Sequence, residues 1–264
     1  MREAARHNPI GHHLVLRLVD NRVIANTDAQ RRVVARTVIE MARDDRLLAF
    51  GLVDTHLHLE DAENRDRCGR LAQRVASSLK QALRLPVFFV PVHREPIRSQ
   101  SHLYRAFHYD LRQQDHHGVT TDPYHEASNL PDLLGLRVRG RQLTEHVRTL
   151  LPRVTRDDLL EVLGVPALPD DAPVDWETLT TAAAAAAGLP DLSGRRAEVV
   201  KARIAAVQLA ASAGVRTAVI GELLQLSTRR VREAADGAID SSLTRAVRLQ
   251  LVLRRLKPPG SNGI

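Results

Sequence analysis

Aromatic residues are nearly missing from this chain: four Phe, three Tyr and one Trp, or 3% of 264 residues. A core with so few rings must be packed from aliphatic side chains and alanine, which favours a helix-rich fold over a β-sandwich. Cysteine is scarcer still. Cys68 stands alone, which excludes an intramolecular disulfide and a cysteine-based zinc knuckle and gives no sign of an oxidising compartment. No apolar run approaches the ~20 residues of a membrane span, and the start, MREAARHNPIGHH, has no apolar segment of the kind a signal peptide carries. The expectation is a cytoplasmic protein with no membrane partner.

What the sequence has in excess is positive charge. Lys and Arg number 38 against 31 Asp and Glu, a net charge of +7. Most of these cations are arginine, whose planar fork suits bidentate contact with phosphate. A polyanionic partner is expected.

The most informative stretch is LLAFGLVDTHLHLE, residues 47–60. Read as one strand, it places Asp54, His56, His58 and Glu60 on one face and Val53, Thr55, Leu57 and Leu59 on the other, because side chains alternate with period two. Two imidazoles at i and i+2 then lie about 6–7 Å apart and can turn onto one divalent ion.

The neighbouring segments supply the frame. Residues 13–20 read as a strand with Leu14, Leu16 and Leu18 on one face and His13, Val15, Arg17 and Val19 on the other. Thr27 with Gln30 makes a capping box, so a helix should run to about Asp44 and lead into the histidine strand. A second helix, capped by Asn64 or Asp66, should reach about Leu85, where Pro86 stops it. Its buried stripe is Leu71, Val75, Leu79 and Ala82 or Leu83, and its outer face carries Arg70 and Arg74. Residues 87–93 read as a short strand whose Pro91 belongs at a sheet edge. A third helix over 101–114 turns Leu103, Phe107 and Leu111 inward and Arg105, Tyr109, Arg112 and Gln113 outward. Tyr109 and Gln113, four residues apart, should be neighbours about 5–6 Å apart at Cβ.

From residue 136 onward only helical periodicity is visible, broken by prolines and glycines, with six alanines at 182–187 that suit a helix interior. The expected fold is α+β: an antiparallel sheet with flanking helices over 1–135, a helical connector and linker over 136–175, and an all-α domain over 176–264.

Two families share parts of this pattern. Metal-dependent amidohydrolases carry a DxHxH similar to residues 54–58, but their fold needs eight parallel strands, which the helical second half does not offer. The order of strand, capped helix, histidine strand and late helix bearing Tyr109 and Gln113 resembles the HUH single-tyrosine transposases, particularly the REP-associated branch. The resemblance covers about residues 10–135 and includes Gly118-Val119 and the Asp122-Pro123-Tyr124 turn. The chain departs from the branch at Gln113-Gln114, where Asn-Pro is usual, and at Asp54-Thr55, where Pro-Asn is common.

The resemblance implies a ferredoxin-like HUH domain that cuts and rejoins single-stranded DNA. His56, His58 and Gln113 would hold Mg²⁺ or Mn²⁺, and Tyr109 would be the nucleophile that forms a phosphotyrosine link. A hairpin or single strand would bind the first domain, aided by Arg17, Arg70 and Arg74, and a second copy of the chain is a further expected partner.

Residues 176–256 resemble the DNA-binding domain of the bacterial replication initiator. In that reading residues 218–224 form the first helix of a helix-turn-helix and 228–235 the recognition helix, exposing Thr228, Arg229, Arg230, Arg232 and Glu233. Arg195, Arg196, Lys201 and Arg203 lie at or in the preceding long helix, and duplex DNA is the implied ligand. Two functions follow: a metal-dependent nicking and strand-transfer enzyme of the nucleoid, or a non-catalytic DNA-binding protein that keeps the same fold.

Overall fold

A computed structural model describes residues 8–258. The start at residues 1–7, read above for a leader segment, and residues 259–264 of the expected last domain lie outside the described residues. The fold is mixed α+β. The chain divides into two compact units, and neither is a single run: the first takes 1–121, 127–129 and 142–154, the second 122–126, 130–141 and 155–264. The segment 130–141 around Gly135, where the first domain was expected to close, belongs to the second unit.

The first unit is built on four antiparallel strands: β1 (Gly11–Arg17), β2 (Leu47–Val53), β3 (His56–Asp61) and β4 (His93–Ile97), in the order β2-β3-β1-β4. Helix α1 (Asp28–Met41) connects β1 to β2 and helix α2 (Arg65–Ala82) connects β3 to β4, a split β-α-β arrangement. Thr27 caps α1 by accepting from the Gln30 N–H, while the Gln30 side chain reaches back to the Asn26 N–H. Asn64 caps α2 by accepting from the N–H groups of Asp66 and Arg67. The stripe Leu71, Val75 and Leu79 is buried as its spacing predicts, extended by Cys68 and Ala72; Ala82 is exposed. These helices cover the face that carries Leu14, Leu16, Leu57 and Leu59, each at most 2% exposed.

The stretch 47–60 is a hairpin and not one strand. Asp54, at φ +35°, and Thr55 form a two-residue turn between β2 and β3, so Asp54 leaves the histidine face. Aspartate is among the few residues with a side chain that tolerate the left-handed region. The apolar run of β2 is buried throughout because it is covered on both faces, and its outer edge is covered as well. There the Asn129 side chain acts as a piece of strand, accepting from the Phe50 N–H at 2.9 Å and donating to the Leu48 carbonyl at 3.0 Å.

The strand expected at 87–93 begins only at His93. Pro91 has no N–H to offer a ladder, and upstream of it only Phe89 bridges β1's extension at Leu18. Helix α3 (Gln100–Leu111), capped by Ser99, packs against β2 and β3 and buries Leu103, Phe107 and Leu111. It does not continue to 114: Arg112 breaks it, and a separate turn, α4 (Gln113–His116), follows. The short α5 (Leu130–Leu133) belongs to the second unit and α6 (Arg141–Leu150) mainly to the first.

The second unit continues with α7 (Arg156–Leu163), α8 (Leu179–Ala187), α9 (Ala197–Ser212), α10 (Thr217–Leu224), α11 (Thr228–Ala235) and α12 (Ser241–Leu256). Ala182 to Ala187 are all buried in α8, and their small side chains let α9 and α12 approach it closely. Ile220, Leu224 and Val231 join the same core from α10 and α11. Among the described residues no helix is long and apolar enough to cross a membrane.

Candidate metal centre and nucleic-acid interface

Strand register assembles the site. Residues paired across an antiparallel ladder point to the same face. His13 pairs with Glu60, Val15 with His58 and Arg17 with His56, so the polar side chains of β1 and β3 share the face opposite the leucines. Helix α3 lies over this face. Gly51, which pairs with His58, makes its close approach feasible: a Cβ there would sit 3.1 Å from the Asp110 carbonyl.

The helix brings Asp110 down onto the histidines. His13 Nε2 lies 2.9 Å from His58 Nδ1 and 3.0 Å from Asp110 Oδ1, and the last two atoms are 3.8 Å apart. Among the described residues these three form the one group of His, Cys, Asp and Glu whose ligand atoms fit together around an ion. A point about 2 Å from all three exists, the usual length of a bond from nitrogen or oxygen to a transition ion. Glu60 is fully buried beside them, and neither of its oxygens has a hydrogen-bond partner.

Burial and neighbouring charge set the protonation states. Burial alone would depress the His13 imidazole, but its hydrogen bond to Asp110 and the charges of Asp110 and Glu95 outweigh that and raise it. His58 goes the other way, pushed down to about 2 by burial and then by His13, His56 and His117. Burial, then the Asp110 charge, lifts the Glu60 carboxyl well above its ordinary range. Burial also raises Asp110, against the pull of His13. The group thus holds one imidazole–carboxyl pair, His13 with Asp110, next to the neutral imidazole of His58, and all three offer atoms that a divalent cation could use.

The expected site residues are distributed unevenly around this centre. His58 belongs to it. His56 shares its face, with ring centroids 4.8 Å apart, but its Nδ1 meets Thr55 Oγ1 at 3.1 Å and its ring also packs on His117. Gln113 is buried with both amide atoms unpaired, whereas Tyr109 is 46% exposed. The break at Arg112 therefore separates the pair that a continuous helix would have kept on one face. The Tyr109 ring stands edge-on to His13 and His58, 6.4 Å from each, and 5.3 Å from His116. His13 and Asp110 were not among the ligands read from the sequence. His13 was visible as a polar residue on β1's second face, but only the ladder pairs it with the histidine strand.

Arg17 is exposed on the histidine face. Arg70 and Arg74 lie on α2, which covers the opposite face, so they do not join the candidate metal site. Arg74 is bound to Asp45 and to the Met41 carbonyl, at 3.1 Å in the latter case.

In the second unit, α10 and α11 are joined by a tight turn in which Gln225 adopts φ +52° and Ser227 caps α11 through the Arg230 N–H. Val231 is buried, while Thr228, Arg229, Arg230, Arg232 and Glu233 face solvent, as their spacing predicts. Arg229 and Arg230 hold Glu233 at 2.8 and 3.4 Å, surface pairs of little energetic weight. Arg195, Arg196 and Lys201 are exposed at the start of α9; Arg203 is half-buried and donates to the Gly194 carbonyl. Comparison with family models, curated proteins and solved structures finds no match.

Proposed function

We propose that this chain is a divalent-metal-dependent enzyme that cuts and rejoins single-stranded DNA through Tyr109, with the second unit holding duplex DNA. The observation that carries the reading is the placement of an exposed tyrosine ring edge-on to two histidines of a His-His-Asp group that could hold a metal ion. The four-stranded antiparallel sheet and its histidine strand are what an HUH domain requires, and the α10-turn-α11 pair with its exposed arginines is what a helix-turn-helix requires.

In this reading Arg17, exposed beside His56, holds the backbone of the strand, and Tyr109 Oη attacks the scissile phosphorus. A phosphotyrosine forms, the bond to the 3′ oxygen breaks, and the proton lost by the phenol is balanced by one taken up at the 3′-hydroxyl. The reverse step rejoins strands. His13, His58 and Asp110 would hold the divalent ion, which when bound draws charge from the phosphate oxygens. Arg229, Arg230 and Arg232 with Thr228 would face the major groove, and Arg195, Arg196 and Lys201 the duplex backbone.

The test is incubation of a labelled single-stranded hairpin with Mg²⁺ or Mn²⁺, followed by a denaturing gel. The expected result is a covalent protein–DNA adduct that Tyr109→Phe abolishes. Persistence of the adduct in that variant would move the nucleophile elsewhere. Tight hairpin binding without any adduct would favour the non-catalytic DNA-binding protein.

A further inference from the structure

We infer that the ion of this chain is held by His13, His58 and Asp110 next to the buried carboxyl of Glu60, that His56 is not a ligand, and that the site takes a first-row transition ion in preference to Mg²⁺. The inference deepens the metal-dependent half of the reading above and does not depend on Tyr109 being the nucleophile.

Three observations support it. The first is the triangle of donor atoms, 2.9, 3.0 and 3.8 Å on a side, which crowds three electron-rich atoms around one point. Without a cation the crowding has no full solution. His13 Nε2 carries at most one hydrogen and faces both His58 Nδ1 and Asp110 Oδ1; a single proton on it cannot bridge to both well. A metal ion bound by all three replaces that shared proton with three bonds.

The second is Glu60, which is fully buried, sits directly opposite His13 in the ladder and has no hydrogen-bond partner for either oxygen. A carboxyl buried in this way is neutralised by a proton or by a cation beside it. A cation between His13 and Asp110 would do so. The third is the environment of His56. It is half-exposed, tied to Thr55 at 3.1 Å and stacked edge-on against His117, and it stands outside the donor triangle. Its place is at the rim.

The donor set decides the class of ion. Mg²⁺ favours an all-oxygen octahedron and keeps its waters, whereas two imidazoles with carboxylate oxygens suit Mn²⁺, Fe²⁺, Co²⁺ or Zn²⁺. Three protein donors are fewer than any of these ions takes, so a position would remain for an exchangeable ligand.

The experiment uses the full chain, stripped with a chelator and titrated with Mn²⁺, Co²⁺, Zn²⁺ or Mg²⁺ alone, with bound metal counted after dialysis. One equivalent of a transition ion should bind, and Mg²⁺ at least about 100-fold more weakly. His13→Gln and Asp110→Asn should weaken binding by about 10–100-fold, as loss of a ligand or its support does. Glu60→Gln should weaken it less. His56→Gln should stay within about threefold of the parent. Circular dichroism checks that each variant is folded. Should the interior substitutions prevent folding, the rim variant still decides: a folded His56→Gln protein that loses the metal overturns the assignment, as does a parent chain that binds no transition ion. Metal binding without a DNA adduct would sink the nuclease reading and leave this site standing.

Discussion

Glu126 and Arg254 form an ion pair at 2.5 Å with both side chains nearly sealed from water, and the Arg254 guanidinium also lies 4.3 Å above the Tyr124 ring. Tyr124 in turn donates to the Lys257 carbonyl at 2.7 Å, so one cluster ties the end of α12 to the 122–126 segment. Removing Glu126 leaves the Arg254 charge buried without its carboxylate. Glu126→Ala should therefore cost about 3–5 kcal/mol, measured by urea unfolding. A loss under about 1 kcal/mol would mean that water reaches the pair. Tyr109 is the contrasting case, because its ring is half in solvent. Tyr109→Phe should leave stability within about 0.5 kcal/mol while removing the covalent adduct, so that activity and folding separate cleanly in one variant.

At the scale of elements, the proposed helix-turn-helix depends on how closely α10 and α11 approach. A Cβ on Gly221 would stand 2.7 Å from the Leu226 carbonyl oxygen, whose residue donates back to the Gly221 carbonyl at 2.8 Å. Gly221→Ala should open the turn, costing about 1–3 kcal/mol and weakening duplex binding without touching any DNA-facing residue. Thermal unfolding and a binding titration check both halves. The recognition helix predicts a finer distinction. If Arg229 makes a bidentate base contact, Arg229→Ala costs about 1–3 kcal/mol and relaxes preference at one base pair. Arg196→Ala should weaken all duplexes alike and lower the salt slope by about one. Titrations of a selected and a scrambled duplex at several salt concentrations separate the two, and equal behaviour of both variants would sink the groove assignment.

For the whole molecule, buried acids and histidines make stability depend on pH in opposing ways. Burial, with the charges of Asp45 and Glu63, outweighs the Cys68 thiol and Arg67 and pushes the Asp61 carboxyl up to about 7 from its ordinary 3.8. Between those values the unfolded chain has released this proton and the folded one keeps it, so the Asp61 contribution is complete below 3.8 and is lost as pH rises towards 7. His58 acts in reverse. Held down to about 2, it takes a proton only on unfolding, so stability falls as pH drops below 6.5. Comparing the parent with Asp61→Asn in a chelating buffer isolates the first effect. The variant should gain on the parent by about 1.4 kcal/mol per unit over that window, a few kcal/mol in all. A flat difference would mean that Asp61 is ionised in the fold.

Local features of this protein were legible in the sequence wherever a short-range rule decided them. Thr27 and Asn64 cap helices because their oxygens reach the next N–H groups, and α11 begins and ends at its expected residues because Ser227 and the spacing of Val231 settle it locally. His56 and His58 share a face because alternation needs only one strand. What sequence spacing could not decide was anything set by a second element. The stretch 47–60 contains a turn because β2 has to pair with β3, and nothing in an apolar run announces where it folds back on itself. Helix α3 stops at Arg112, so Gln113 is buried while Tyr109 stays at the surface. His13 and Asp110, two of the candidate metal ligands, are 97 residues apart, brought together by the β1–β3 ladder and by the passage Gly51 leaves for α3. Ladder register and helix packing are long-range facts, and the donor set exists only where they meet.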